Sequence, residues 1–434
     1  MEGLIGFSVF ITALLLFLAT GTPVAVATGL LGVLGIYLFL PHAAITQLGN
    51  IAFAQPANFV LVVVPLFVMM GEALAATTIG RDLFTAAQIW LRRLPGALAV
   101  GTIFACACFA AVCGSSPVTA ATIGGMAVPE MLRKGYSAKL ALGVTAAGGT
   151  LGILIPPSIP MILYGVITET SIGALFIAGI VPGIMMVVLL SATVFYQVWR
   201  DPSVAPRASA AVELSERWTS LRSVAPVMLL AVGVLGSIYT GIATPIEAGA
   251  VGALGALIIA AVLRALSWPV MGRILNNTVR TTAMFILLII GGLFSAFVLA
   301  RLGIPQSTAR VLVEMNVPPW VIMVMINVLL AILGMFMDPM SLLVIIVPVF
   351  FPAVVALGYD PVWFGVIITI NIEIAAISPP VGFNLFVLKT VIPTARMQDI
   401  IHGSLIFIIP LAVGIGLLIA LPEIALWLPR LMAN

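Results

Sequence analysis

The chain has 434 residues, of which 62% are apolar and 8% charged, where a soluble domain carries roughly 25% charged residues. No water-soluble fold could hide that much apolar surface, so the surrounding solvent is lipid. The net charge of +3 says little by itself, no nucleic-acid partner is expected, and two histidines are too few for a metal site or an imidazole proton relay.

The first apolar stretch, Leu4–Ala19, lacks a basic segment before it and runs on into more apolar sequence, so it reads as a span rather than a cleaved leader. Segments of membrane length follow one another at 3–20, 23–40, 59–77, 137–166, 171–198, 223–241, 246–263, 281–300, 361–388 and 400–428. After the third comes residues 80–93, where Leu83, Ala86, Ala87, Trp90 and Leu91 share one helical face. Residues 303–317 repeat the idea with Arg310 and Glu314, and both read as short helices lying in the interface. Two further apolar stretches, 97–132 and 320–357, each have a polar break near the centre, at Gly114-Ser115-Ser116-Pro117 and at Asp338-Pro339. Their arms are short for a crossing, so each is either two tight spans or a re-entrant hairpin. Cys106, Cys108 and Cys113 fall in the first of these without polar neighbours, and read as small residues packed between helices.

The chain is duplicated. Sliding residues 80–157 onto 303–380, an offset of 223, pairs Gly80 with Gly303, Gly135-Tyr136 with Gly358-Tyr359, and Pro156-Pro157 with Pro379-Pro380. Four of five prolines in the first window meet a proline in the second, where chance gives about half of one match. Each repeat holds five crossings, an interfacial helix and a hairpin, so the second copy is inverted. The predicted fold is therefore an all-α polytopic membrane protein of two inverted repeats, residues 1–199 and 223–434, joined by a cytoplasmic linker at 200–222. Internal repeats in an apolar chain mark a secondary transporter. With the N-terminus outside, fifteen of the eighteen Lys and Arg face the cytoplasm, and only Arg301, Arg310 and Arg430 face out.

Two broken helices carry the chemistry. In 137–166, Pro156 and Pro157 cannot bond to the carbonyls of Gly152 and Ile153, and in 361–388 Pro379 and Pro380 leave those of Ala375 and Ala376. Freed carbonyls in a dry core suit a small hard cation. Ser115, Ser116 and Thr119 lie at the start of a half-helix, whose partial positive charge suits a carboxylate. Asp338 occupies the matching tip, as either an N-cap or a cation ligand. Glu373 lies deep beside the second break. Glu72 and Glu247 fall near span ends and read as snorkelling or capping groups. Gly135-Tyr136-Ser137 and Gly358-Tyr359-Asp360 read as hairpin exits with an N-cap. The candidate sodium ligands are Ser115, Ser116, Gly149, Thr150, Pro156, Asp338, Glu373, Ser378 and Pro379. The candidate cargo-binding residues are Ser116, Thr119, Pro157, Ser158 and Asn384. No Gly-rich, Lys-containing ATP loop is present and no serine has a base partner, so neither ATP hydrolysis nor enzyme catalysis is expected of this chain.

The run from Gly114 to Gly124, with Gly149-Thr150-Leu151-Gly152-Ile153-Leu154-Ile155-Pro156-Pro157-Ser158 and Ser378-Pro379-Pro380-Val381-Gly382-Phe383-Asn384-Leu385, resembles the large membrane subunit of TRAP transporters, the tripartite ATP-independent periplasmic (DctM-like) family. That resemblance implies an ion-transporter-superfamily fold working as an elevator, and sodium-driven uptake of organic acids such as dicarboxylates. It implies a location in the bacterial inner membrane with the N-terminus periplasmic. It also implies a periplasmic substrate-binding protein and a small four-helix membrane subunit. Because the chain starts at the first large-subunit span, the small subunit is expected to be separate. The outward segments 41–58, 167–172, 301–319 and 358–362 are the expected docking face. The alternative is a stand-alone sodium- or proton-coupled carboxylate carrier of the same superfamily; a channel is disfavoured because no charged ring appears.

Overall fold

The computed structural model describes residues 2–206, 214–315 and 317–433, and the described residues are helical throughout, with three short 3-10 turns between helices. The first half runs α1 (Glu2–Ala19), α2 (Val24–Phe39), α3 (Thr46–Ala54), α4 (Val63–Ala75), α5 (Ile79–Leu91), α6 (Ala97–Cys113), α7 (Ser116–Arg133), α8 (Ala138–Leu154), α9 (Ile159–Thr168) and α10 (Ile172–Arg200). The second runs α11 (Leu214–Tyr239), α12 (Pro245–Val262), α13 (Trp268–Arg301), α14 (Ile304–Glu314), α15 (Pro319–Gly334), α16 (Pro339–Ala356), α17 (Pro361–Ile377), α18 (Phe383–Val391), α19 (Met397–Leu405), α20 (Ile408–Ala420) and α21 (Glu423–Ala433).

Local chemistry sets these boundaries. Ser137, Ser158 and Ser171 cap α8, α9 and α10 by accepting the amides of Leu140, Met161 and Ala174. Asp360 does the same for α17, and Thr244 with Glu247 closes a reciprocal capping box on α12. Gly135 and Gly358, at matched positions, take φ of 87° and 84° where α7 and α16 end. The two predicted exits are thus helix terminators followed by caps, and Glu247 is a capping group.

The packing is crosswise between the halves. α2 lies on α13 while α12 lies on α4; α1 lies on α14 while α11 lies on α5; α9 lies on α16 while α18 lies on α7. In each pair, the second contact is the first with every helix replaced by its counterpart in the other half. Mutual exchange of this kind is what a two-fold axis produces. Among the described residues six helices are long and apolar enough to cross a membrane, and the pair Ala138–Leu154 and Ile159–Thr168 is bent by 41°. The hairpin arms α6 and α7 have 17 and 18 residues, which at 1.5 Å per residue reach about 25 Å, short of a full bilayer core of roughly 30 Å.

Some predicted boundaries move. The span at 281–300 is the second part of α13, which begins at Trp268 because Ser267 caps it and Pro269 fits its first turn. The apolar stretch 400–428 is not one helix: α19 and α20 end at Ala420, and α21 turns away after Leu421-Pro422 to pack on α10 and α17. Segment 41–58 contains one 3-10 turn, His42–Ile45, and α3. On α5, Leu83, Phe84 and Ala86 are buried, but Trp90 is half exposed, with the Arg217 guanidinium 5.6 Å above its ring. On α14, Ile304, Thr308 and Leu312 face inward while Arg310 and Glu314 are exposed. The linker is tied down at its start, where the Ser137 amide donates to the Val204 carbonyl at 2.9 Å. Arg207, counted among the cytoplasmic charges, lies outside the described residues, as does residue 316 of the outward segment 301–319.

Candidate functional site

The α6–α7 and α15–α16 hairpins bring their tips to one cavity of about 440 Å³, within the usual range of roughly 300–1,000 Å³ for a small-molecule site. Ser115, Ser116, Pro117 and Val118 enter it from the first tip, and Asp338, Pro339 and Met340 from the second. Ile153, Ile159, Ala376, Phe383 and Asn384 enter from the two helix breaks. The remaining wall belongs to the starts of α2 (Pro23, Val24, Ala25), to α4 (Val68, Gly71, Glu72) and to α13 (Thr281, Met284, Phe285, Leu288).

Each tip is clamped to a break. Gly114 takes φ of 65°, and a Cβ there would lie 2.6 Å from the Pro157 carbonyl oxygen, so only glycine fits this turn. Its own carbonyl accepts the Ile159 amide at 3.4 Å. Gly152 meets the tip from the other side: a Cβ there would lie 2.6 Å from the Ser115 carbonyl oxygen and 2.7 Å from Thr119 Oγ1. At the second tip, the Val381 amide donates to the Met335 carbonyl at 3.1 Å. Both Pro156-Pro157 and Pro379-Pro380 are cis.

Ser116 and Asn384 join the halves. The Ser116 hydroxyl donates to Asn384 Oδ1 at 3.0 Å, and Asn384 Nδ2 donates to Ser116 Oγ at 2.8 Å and to the Ala146 carbonyl at 3.3 Å. Asp338 caps α16, its Oδ1 accepting the amides of Met340 and Ser341 at 3.0 and 3.1 Å and its Oδ2 the Ser341 hydroxyl. It also lines the cavity, half buried, so the capping geometry and access to a ligand coexist in one side chain.

Of the candidate residues, Ser115, Ser116, Asp338 and Asn384 line the cavity. Thr119, Ser158 and Ser378 sit behind it, fully or nearly fully buried, with hydroxyls donating to the carbonyls of Ser115, Ile153 and Ile374. Thr150 donates to the Ala147 carbonyl at 2.6 Å, and Gly149 packs on Ala120. Pro156, Pro157 and Pro379 form the breaks themselves. The expectation that the breaks leave their carbonyls free needs correction at two positions. The Ile153 oxygen accepts the Ser158 hydroxyl, and the Ala375 oxygen accepts the Ser378 amide at 3.3 Å. A serine placed just after each broken turn supplies the donor that proline removes. Ala376 lines the cavity. Glu373 is fully buried in α17, and neither oxygen meets a donor among the described protein groups.

Glu72 and Thr281 were not among the candidates, and both line the cavity. Asn277 Nδ2 donates to Glu72 Oε2 at 2.8 Å. Sequence reading placed Glu72 as a snorkelling or capping group; it sits instead on the cavity wall. The available signal was a carboxylate inside an apolar stretch. Thr281 gave no signal, since a hydroxyl is common in any span. Among the described lining residues there are two carboxylates and no Lys, Arg or His.

Residues 11–424 match the family described as "Tripartite ATP-independent periplasmic transporter, DctM component". The chain is 36% identical over 405 residues to the C4-dicarboxylate TRAP transporter large permease protein DctM of Pseudomonas aeruginosa, covering 93% of each. It is 32% identical to the ectoine TRAP transporter large permease protein TeaC of Halomonas elongata, covering 97% of this chain and 98% of that one. Among solved structures, the YdaH transporter of Alcanivorax borkumensis shares the fold, with a TM-score of 0.60, 18% identity, and 98% and 99% of the two chains covered.

Proposed function

The chain belongs to the DctM component family of tripartite ATP-independent periplasmic transporters, as a large permease subunit, and from that premise we propose that it carries organic acids into the cell on a sodium gradient. The observation that supports this reading best is the convergence of two half-helix starts and two helix breaks on one cavity. The start of α7 offers amides and partial positive charge to a cargo carboxylate, while at the start of α16 the Met340 and Ser341 amides are already taken by Asp338. Cations held beside Asp338, Ala376 and the breaks would offset the cargo's charge, so sodium and cargo bind cooperatively. The cargo reaches the chain from a periplasmic binding protein, and a small membrane subunit completes the complex in the bacterial inner membrane.

The excess of basic residues on one side supports an N-terminus outside. Pro23 and Glu72 then lie at the cytoplasmic ends of their helices and Thr281 at the cytoplasmic start of the 281–300 span within α13, and the cavity faces inward. A second cavity of about 460 Å³ lies at the opposite end, lined by Asn58, Val60, Val63, the 165–173 turn and Thr244-Pro245-Ile246. The repeat offset carries Thr281 onto Asn58, and Pro23-Val24 corresponds to Pro245-Ile246 one residue out of that register. The outer cavity therefore has the fixed wall that the tips would meet after an elevator movement.

The test is uptake by proteoliposomes holding this chain, its small subunit and the binding protein. Succinate uptake should follow an imposed sodium gradient and stop when the binding protein or the small subunit is left out. Uptake by the purified chain alone would instead mark a stand-alone carrier. Glu373, buried with no donor for its oxygens among the described residues, favours a second reading in which a proton accompanies the cargo. Uptake driven by a pH gradient with sodium absent would establish that one.

A further inference from the structure

Glu72 has no role in the transport scheme above, yet its carboxylate stands in the cavity wall. We propose that Glu72 is a release residue, which sets a negative charge beside the cargo carboxylate only when the hairpin tips stand at the inner wall. It thereby weakens cargo binding on the cytoplasmic side and hinders recapture. This rests on the reading of the chain as a carboxylate importer with an inward-facing cavity.

Three observations carry it. The first is position. Gly71 packs so close to the end of α6 that a Cβ there would lie 3.0 Å from the Cys113 carbonyl oxygen and 3.2 Å from its sulfur. Glu72 is the next residue, and Cys113, Ser115 and Glu72 line the same cavity. The carboxylate thus stands next to the half-helix start offered to the cargo. The second is charge. The hydrogen bond Glu72 receives comes from the Asn277 amide, which is neutral, and no cationic side chain is among the described residues lining the cavity. The carboxylate keeps its field, and part-desolvated walls screen it less than water does. The third is asymmetry. The repeat offset carries Glu72 onto Ser295, a buried hydroxyl that donates to the Thr28 carbonyl at 2.7 Å. The outer wall has no matching acid at this position. The outer cavity's carboxylate, Glu169, lies at the C-terminal end of α9 and not at this wall position, so cargo meets an acid on the wall itself on one side of the membrane only. Two carboxylates several ångströms apart at an intermediate effective dielectric lose roughly five- to tenfold in binding.

The experiment uses the full complex and three versions of position 72: Glu, Gln and Asp. Glu72→Gln keeps an acceptor for Asn277, so the wall stays packed. The field is read with Ser115→Cys in a background where Cys106, Cys108 and Cys113 are alanine, by comparing reaction rates of a cationic and an anionic methanethiosulfonate of similar size. Glu72→Gln should lower the cationic-to-anionic rate ratio about five- to tenfold, and Glu72→Asp should keep most of it. Release is read as inhibition of uptake by succinate on the cytoplasmic side. With Gln, inhibition should set in at several-fold lower internal succinate, while the sodium concentration for half-maximal uptake stays unchanged. An unchanged rate ratio overturns the proposal, and so does unchanged or weaker internal inhibition. A raised sodium requirement with Gln overturns it too, since it would make Glu72 a cation ligand. Absence of any uptake, with the rate ratio shifted as expected, would count against the importer reading and not against the field at position 72.

Discussion

Ser116 and Asn384 are 268 positions apart and hydrogen-bonded to each other beside the cavity. Each is buried, so removing one leaves the other short of a partner in a poorly hydrated place, at a cost of about 1–3 kcal/mol. Ser116→Ala should raise the sodium concentration for half-maximal uptake severalfold, and Asn384→Ala should do the same. Because the two act as one unit, the double substitution should cost little more than either single one, a shortfall from additivity that a double-mutant cycle measures directly. Asp338 separates charge from capping. Asn in its place still accepts the Met340 and Ser341 amides, so Asp338→Asn should leave thermal stability nearly unchanged while raising the sodium requirement about tenfold. Asp338→Ala removes the cap as well and should lose about 0.5–2 kcal/mol of stability on top. A sodium requirement that stays put in Asp338→Asn would make the carboxylate a cap and nothing more. At this scale sequence reading went part of the way. It found Ser116, Asp338 and Asn384, because motif positions and polar breaks in apolar sequence stand out. It did not find Thr281, and it misplaced Glu72, because facing a cavity depends on how helices far apart in the chain are rotated against one another.

At the scale of the element, the hairpins and broken helices were the most legible features, since their signals are local. A Gly-Ser-Ser-Pro run or an aspartate-proline pair in an apolar stretch marks a helix boundary, whereas the Gly-Gly pairs at 124–125, 148–149 and 291–292 lie inside unbroken helices. The fate of the freed carbonyls was less legible. Ser158 reaches back with its hydroxyl to the Ile153 carbonyl, and Ser378 with its backbone amide to that of Ala375, and these fill two carbonyl positions that looked open to a cation. The reach of a side chain over one turn is set by rotamer and backbone bend together, which residue spacing does not reveal. The boundaries of α13, α19, α20 and α21 also moved, because apolar windows locate lipid-facing surface and helices continue past it wherever a cap permits. Gly152 tests how tightly tip and break are coupled. Gly152→Ala introduces a Cβ 2.6 Å from the Ser115 carbonyl oxygen, so the first tip must shift. The expected result is a correctly inserted, monodisperse protein with uptake reduced at least about tenfold, because sub-ångström placement of the half-helix start governs its binding. The matched change Ala375→Gly in the second break leaves room and should have a far smaller effect on uptake.

For the whole molecule, the crosswise packing of halves is the organising fact. α2 against α13 and α4 against α12 build a wall from both repeats, and the α9–α16 and α7–α18 contacts tie the hairpins to the breaks of the opposite half. The duplication was visible in the proline register, but which helix of one half seats on which helix of the other was not, because sequence identity between repeats carries no information about the axis that relates them. If the hairpin unit moves as proposed, that axis relates its present geometry against the wall to a second one, with the roles of the halves exchanged. In the present arrangement Ser115 and Val24 line one cavity, while Ile246, the counterpart of Val24, lines the other. A cysteine pair at Ser115 and Val24 should therefore be joined by a short bifunctional thiol reagent in the present arrangement. A pair at Ser115 and Ile246 should become joined when the complex turns over with sodium, cargo and binding protein present, and joining should stop uptake. Reduction of a cleavable reagent should restore it. If the tip cysteine reaches Val24 under every condition and never Ile246, the hairpins do not travel between the two walls, and the cavity must open to the outside by movement of the wall itself.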